Sequence, residues 1–274
     1  MISHISKIEE TTKFIKSKTA LVPKVGVILG SGLGEIIEGS VNDTLLNYED
    51  IPHFAKTTVK GHKGKLLMGK MFNIPAIVMQ GRLHYYEGYC MDEVTYPIYL
   101  MKQLGVEYLV ITAAAGGINK TYKPGDIVVI SDHINMMCQN PLRGENYAIM
   151  GERFPDMTRI YNAELSKSAL GASQKNKIRM KEGVYLGVQG PSYETPAEVK
   201  AFRTLGADLV GMSVIPESIV ANKLGMKVLG LAYISNMAAG VLNKKLTHNE
   251  VLKTGVNVVG KLSKIIEEVF LNIK

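Results

Sequence analysis

Short β-branched apolar runs recur along this chain, separated by stretches with helical spacing, and small or polar residues follow the ends of several runs. Such alternation belongs to α/β proteins, because strands covered by helices on both faces read as continuous apolar blocks. Strands are expected at Val25–Leu29, Lys65–Gly69, Ala76–Met79, Tyr108–Thr112, Ile127–Ser131, Val184–Val188, Asp208–Gly211 and Lys227–Ile234. Helices are expected at Met91–Leu104, Ala163–Ala172, Pro196–Leu205, Pro216–Leu224 and Thr247–Leu271, with an amphipathic first helix within Met1–Ala20. The expected fold is α/β, a three-layer αβα sandwich around a largely parallel mixed central sheet. Nothing in the composition breaks the 274 residues into parts, so residues 1–274 are read as a single domain.

The same sequence excludes several classes of function. No stretch approaches the ~18 uninterrupted apolar residues of a membrane span, and the first segment carries Glu9, Glu10, Lys13, Lys16 and Lys18 where a secretory signal needs an apolar block. Cys90 and Cys138 form no metal-like or redox spacing, so no metal site and no disulfide framework are expected, and a reducing cytoplasm fits. The formal charge of +7 comes from scattered lysines rather than a block, which suits a small anion better than nucleic acid or a membrane surface. No repeat or low-complexity segment interrupts the chain.

Candidate chemistry gathers where strands are expected to end, the place at which open α/β sheets bind ligands. Gly30, Ser31, Gly32, Leu33 and Gly34 follow the first strand, and glycines there let backbone N–H groups converge on an anion. A tight strand-to-helix turn explains the segment equally well. The dinucleotide pattern G-x-G-x-x-G fails, since position 35 is Glu35, and the Gly-Lys-Ser/Thr of a P-loop is absent. Gly81 to Gly88 packs Arg82, His84, Tyr85, Tyr86 and Glu87 into eight residues. Arg82 can make two charge-assisted hydrogen bonds to phosphate and His84 a further one that depends on its protonation, although a surface Arg–Glu pair is the plain alternative.

Ala113 to Gly117 is too small for a core strand and reads as a turn or as close approach of backbone to a ligand. Met212 with Ser213 reads either as a site or as a buried Met beside a hydroxyl capping the helix near Pro216, and Asn236 as a site or an ordinary turn residue. His62 is a lone loop histidine. Thr195, Pro196 and Glu198 make a capping box, which leaves Glu194 in the loop before that helix.

Taken in order, VILGSGLG (Val27 to Gly34), GRLHYYEGY (Gly81 to Tyr89), AAGGIN (Ala114 to Asn119), GPSYETPAE (Gly190 to Glu198), LGADLVGMS (Leu205 to Ser213) and ISNMAAG (Ile234 to Gly240) resemble the trimeric, low-molecular-mass purine nucleoside phosphorylases. The resemblance runs from about Val25 to His248. It implies a phosphorylase/hydrolase-like fold and reversible phosphorolysis of 6-oxopurine (deoxy)ribonucleosides, with inorganic phosphate as co-substrate, no other cofactor and no nucleophilic Ser or Cys.

By similarity, phosphate is held by Ser31, His62, Arg82, His84, the backbone at Ala114, and Ser213. The ribose meets Tyr86, Met212 and His248, with Phe154 reaching in from a neighbouring subunit of a homotrimer. The purine lies among Tyr193, Glu194, Asn236, Ala115 and Gly116, and Asn236, Glu194 and His84 serve the chemistry. Methylthioadenosine phosphorylases place Asp where this chain has Asn236, which argues against that related activity. A nucleoside-binding protein without turnover would share the fold but has no need of Arg82 and His84 together. Two departures stand out. Ala113 replaces an Asn common in the family, removing an amide that supports the base or its loop. Tyr193 replaces a frequent Phe.

Overall fold

The computed structural model describes residues 4–37, 41–59, 61–144, 150–242 and 245–273. Along the chain run α1 (His4–Lys18), β1 (Val25–Leu29), β2 (Val41–Asn47), β3 (Lys65–Met71), β4 (Ile74–Gln80), α2 (Met91–Leu104) and β5 (Tyr108–Gly117). There follow β6 (Ile127–Asn135), α3 (Ala163–Lys175), β7 (Met180–Gly187), α4 (Pro196–Thr204), β8 (Leu209–Gly211), α5 (Ile215–Lys223), β9 (Lys227–Met237) and α6 (His248–Leu271). The strands join in the order β2-β3-β4-β1-β5-β8-β7-β6-β9, and β5 also pairs with β9. That extra pairing curls the second half of the sheet into a ring of β5, β8, β7, β6 and β9.

The sheet is mixed: β1–β4, β1–β5, β5–β9, β6–β7 and β7–β8 are parallel, while β2–β3, β3–β4, β5–β8 and β6–β9 are antiparallel. Helices cover both faces. Successive side chains of a strand point to opposite sides, so in β1 Ile28 packs with the α1, α2 and α5 layer while Val27 and Leu29 pack with α3 and α6. Ile8, Ile98 and Ile219 fill the first layer, and Leu165, Leu262 and Ile265 the second. At roughly 1.5–3 kcal/mol per fully buried aliphatic side chain, these two layers are the main stabilisation of the sheet.

Three differences from the sequence expectations bear on the site. The edge strand β2, VNDTLLN, is polar enough to hide from a hydrophobic pattern, and among the described residues it pairs only with β3. Ala113 to Gly117 is not a turn: β5 runs through it, held by β9 to the Gly117–Met237 register. Gly30 to Gly34 leads into a 3₁₀ turn, Gly34–Ile37, and among the described residues no α-helix begins there. Cys90 and Cys138 are exposed free thiols. Among the described residues no helix is long and apolar enough to cross a membrane, and no group of three or more His, Cys, Asp or Glu could hold a metal ion.

Candidate active site

A cleft of about 680 Å³, open mouth included, lies at the carboxyl ends of β1, β4, β5, β8 and β9. Its wall contains Ser31, Arg82, His84, Ala114 and Ser213, then Tyr86 and Met212, then Ala115, Gly116, Tyr193, Glu194 and Asn236. Segments up to 221 residues apart in sequence therefore meet, from Gly30 to Val251.

One end is a buried polar floor. Gly30 closes β1 against β5 so tightly that a Cβ would sit 2.8 Å from Thr112 O, and its N–H donates to Thr112 Oγ1 at 3.0 Å. That N–H is spent on the sheet and is not left for an anion. The turn continues through Gly32, at φ +75, whose Cα packs against Gly255 of α6; side chains at either position would force the two apart. Tyr233 of β9 donates its hydroxyl to Ser31 O at 2.9 Å, fixing the serine from behind.

Arg82, only 2% exposed, follows β4. Its Nη1 donates to Thr112 O at 2.9 Å and to Ser213 Oγ at 3.0 Å. Its Nε stands 3.0 Å from Glu217 Oε1, while Nη2 is buried with no partner among the described residues. An unpartnered buried guanidinium nitrogen is costly unless a ligand satisfies it. Ser213 does not cap α5 as the alternative sequence reading had it: Val214 occupies that place without a side-chain bond. Val214 sits at φ 73 and ψ −53, and Ile215 N–H donates to Ser213 O at 2.8 Å, which is a γ-turn of the rare, strained kind for a β-branched residue. The strain aims Ser213 Oγ at Arg82 and starts α5 within two residues.

His84 is buried and stacks on Tyr86, ring centroids 4.7 Å apart. Glu87 reaches back to it, accepting from the His84 backbone N–H at 2.9 Å and lying 3.0 Å from Nδ1, while its other oxygen accepts from Thr58 N–H and Oγ1 at 2.6 and 2.7 Å. Despite the cost of burial, the hydrogen bonds from His84 and Thr58 hold the Glu87 carboxyl down at about 2. An ionised carboxylate only accepts, so Nδ1 carries the donated proton and Nε2 is the acceptor of the ring. Burial pulls His84 below the usual imidazole value, with Glu87 opposing.

His62 does not line the cleft. Its Nε2 is 3.1 Å from Ser31 Oγ and its Nδ1 3.1 Å from the Arg82 backbone, so it stands behind the serine. Burial, then the neighbouring His84, push it down to about 3, which keeps it neutral. Gly81, at φ +110, makes room for it: a Cβ there would lie 2.6 Å from His62 Cβ.

The other end is more open. Asn236 is not beyond β9 but inside it, opposite Gly116, just after a bulge at which Ala115 faces Ile234 and Gly116 faces Asn236. Bulges re-aim side chains, and here the Asn236 Nδ2 is buried with no partner among the described residues. Thr112 and Gly116 are four positions apart on β5, so the Arg82 floor and the Asn236 shelf are separated by roughly 13 Å of strand. Glu194 is half-buried on the loop before α4, where burial raises its carboxyl above the usual range. Tyr193 beside it is 40% exposed.

Some expected residues stay apart. Phe154 is 87% exposed and outside the cleft, and the side chain of His248 lies outside the described residues. Ala113 is buried in β5 and is not part of the cleft wall. Conversely, Glu217, the hold of Glu87 on His84, and Val251 of α6 were not singled out from sequence. Glu217 left one trace: it is the sole charge between Val214 and Ala221 in a helix otherwise buried on all sides.

Residues 24–271 match the model of the phosphorylase superfamily. Purine nucleoside phosphorylase 1 of Bacillus subtilis is 49% identical over 263 residues, covering 96% of this chain and 97% of that protein. The crystal structure of Schistosoma mansoni purine nucleoside phosphorylase with adenosine superposes with a TM-score of 0.95 at 36% identity, covering 100% and 99% of the two chains. The same enzyme with inosine gives 0.94 at 34%, again over 100% and 99%.

Proposed function

The chain belongs to the phosphorylase superfamily, and within it to the purine nucleoside phosphorylases; from its cleft we propose that it catalyses reversible phosphorolysis of 6-oxopurine nucleosides such as inosine and guanosine and their deoxy forms. The products are the free base and (deoxy)ribose 1-phosphate. The observation that carries the assignment is a pair of buried, unspent donors in one cleft, Arg82 Nη2 and Asn236 Nδ2, separated along β5. One suits an anion and the other a base heteroatom.

Phosphate sits on Arg82, Ser213, Ser31, His84 and the Ala114 backbone, with His62 supporting Ser31. Neutral His84, its Nδ1–H pinned by Glu87, accepts through Nε2 a hydrogen bond from the protonated oxygen of a phosphate monoanion, and that proton passes through solvent to the purine nitrogen as the free base forms. Another phosphate oxygen bonds to C1′ as the bond from C1′ to the purine nitrogen breaks and takes its electron pair to the base. The sugar passes through an oxocarbenium-like state that phosphate stabilises, and the purine gathers negative charge that the Asn236 amide meets at N7 or O6. Glu194, as carboxylate, accepts from N1–H of a 6-oxopurine. Adenine has no such donor and leaves these groups mismatched.

Tyr86, Met212 and His248 flank the ribose. Phe154, exposed in one subunit, completes the site from a neighbour in a homotrimer. No cofactor beyond phosphate is invoked, the whole chain acts as one domain, and the setting is cytoplasmic purine salvage. Inosine incubated with and without phosphate, followed by ultraviolet absorbance, tests the reaction. Release of hypoxanthine should require phosphate, and tight inosine binding without that release would remove the catalytic assignment.

A further inference from the structure

Arg82 raises a question that phosphate contact alone does not answer. A guanidinium is always charged, and a charge buried this deeply is tolerated only beside a compensating one. Its partner is Glu217, 3% exposed, with Oε1 3.0 Å from Arg82 Nε. The approach is too bent for a hydrogen bond, and neither Glu217 oxygen has a hydrogen-bond partner among the described residues. The contact is charge against charge. Glu217 lies in the first turn of α5, three residues beyond the Val214 γ-turn, so one five-residue segment puts Ser213 Oγ on Nη1 and Glu217 beside Nε. The two Nη1 bonds do not depend on the charge of Glu217.

We propose that Glu217 is a positioning residue acting through Arg82 as its resident counter-ion, which lowers the affinity of the site for phosphate and sugar phosphate and so lets product leave. This rests on the placement of phosphate at Arg82 given above. Whatever already compensates the guanidinium in the empty site is subtracted from what an arriving anion gains, and Glu217 also repels that anion directly. At an effective dielectric near 20, one charge several ångström away changes anion affinity by about tenfold or more.

Glu217→Gln keeps the shape and removes the charge. Titrated with inorganic phosphate, it should bind about tenfold more tightly than the parent chain, show a lower Tm without anion, and gain a larger Tm rise from phosphate. KM for phosphate should fall while KM for inosine stays within about twofold, a split that a merely structural residue would not produce. Glu217→Asp draws the carboxylate back by one methylene and should also bind phosphate more tightly than the parent, by a smaller factor; it carries the test alone if the Gln variant does not fold. Unchanged or weaker phosphate binding in the variant that folds would overturn the proposal, as would KM values for both substrates moving together. Failure of the parent chain to bind phosphate would overturn it too. A parent chain that binds phosphate yet leaves inosine intact would sink the phosphorylase assignment and leave this measurement valid, because it reads phosphate binding itself.

Discussion

At one end of the cleft Arg82 is 2% exposed, with Nη1 committed to Thr112 and Ser213 and Nε facing Glu217; at the other, Tyr193 is 40% exposed and the Glu194 carboxylate meets no other residue's donor among those described. The floor is held by contacts within the protein, through strand ends locked into the sheet. The shelf depends on a loop, a strand bulge and the substrate itself. A preorganised charged floor positions the phosphate nucleophile, and groups awaiting a ligand supply discrimination, since a mismatched ligand leaves them unpaired. Changes at the floor should therefore cost the reaction with any nucleoside, and changes at the shelf should alter which nucleoside is used or, at Asn236, how fast its base leaves.

The sharpest way to break this contrast is Arg82→Met. Removing two charge-assisted hydrogen bonds at about 2 kcal/mol each predicts a loss of about 10³ in kcat/KM for phosphate. Glu217 is then left as an uncompensated buried charge, so Tm should fall as well. Hypoxanthine binding, measured by calorimetry, should survive in the folded fraction. Equal loss of base and phosphate binding would show that the two ends are one cooperative unit.

Asn236→Ala comes next. It removes the single amide aimed at the leaving base, and one lost donor to a developing anion predicts a fall in turnover on inosine of roughly 10². Phosphate affinity should hold, because Asn236 pairs with Gly116 and the floor is anchored at Thr112. Near-normal turnover would take Asn236 out of the chemistry.

These two residues also mark what could be read from the chain. The apolar runs of β1 and α2, each followed by a glycine, place those elements to the residue, and the cluster around Arg82 announces itself by density of charge. Asn236 was legible as a polar residue near a strand end, but the bulge that turns it was not, because register depends on the partner strand. Ala113 to Gly117 misled for the same reason: residues with little strand preference of their own are held extended by β9. Glu217 looked like an ordinary acid in the first turn of a helix, and only the fold shows that this turn faces a buried guanidinium. Gly255 gave no signal on a helix, since its purpose is to let Gly32 approach.

Glu194→Gln probes the shelf at smaller cost. Discrimination between inosine and adenosine in kcat/KM should fall by about tenfold, the scale of one charged hydrogen bond, with phosphate KM unchanged. The pH dependence has a definite sign. The ionised carboxylate is the acceptor, and burial raises its pKa above the usual 4.5, so activity on inosine should decline on acidification at a pH above that value. The Gln variant should lose this acid limb. A limb that persists would belong to another group, such as His84.

Tyr193→Phe carries the smallest expected effect and the finest test of the contrast. The ring lines the cleft and carries a hydroxyl. Because the residue is 40% exposed, that hydroxyl is not obliged to find a protein partner. Its removal should then change KM for inosine by about twofold at most, as exposed substitutions generally do, and leave the phosphate KM and Tm alone. The ring's apolar area stays in place, so the stacking surface for a base is kept. A tenfold rise in KM for inosine would mean that the hydroxyl is ordered against the base or against Glu194. The shelf would then be a built site of the same kind as the floor, and the division of labour drawn between the two ends would fail at its open end.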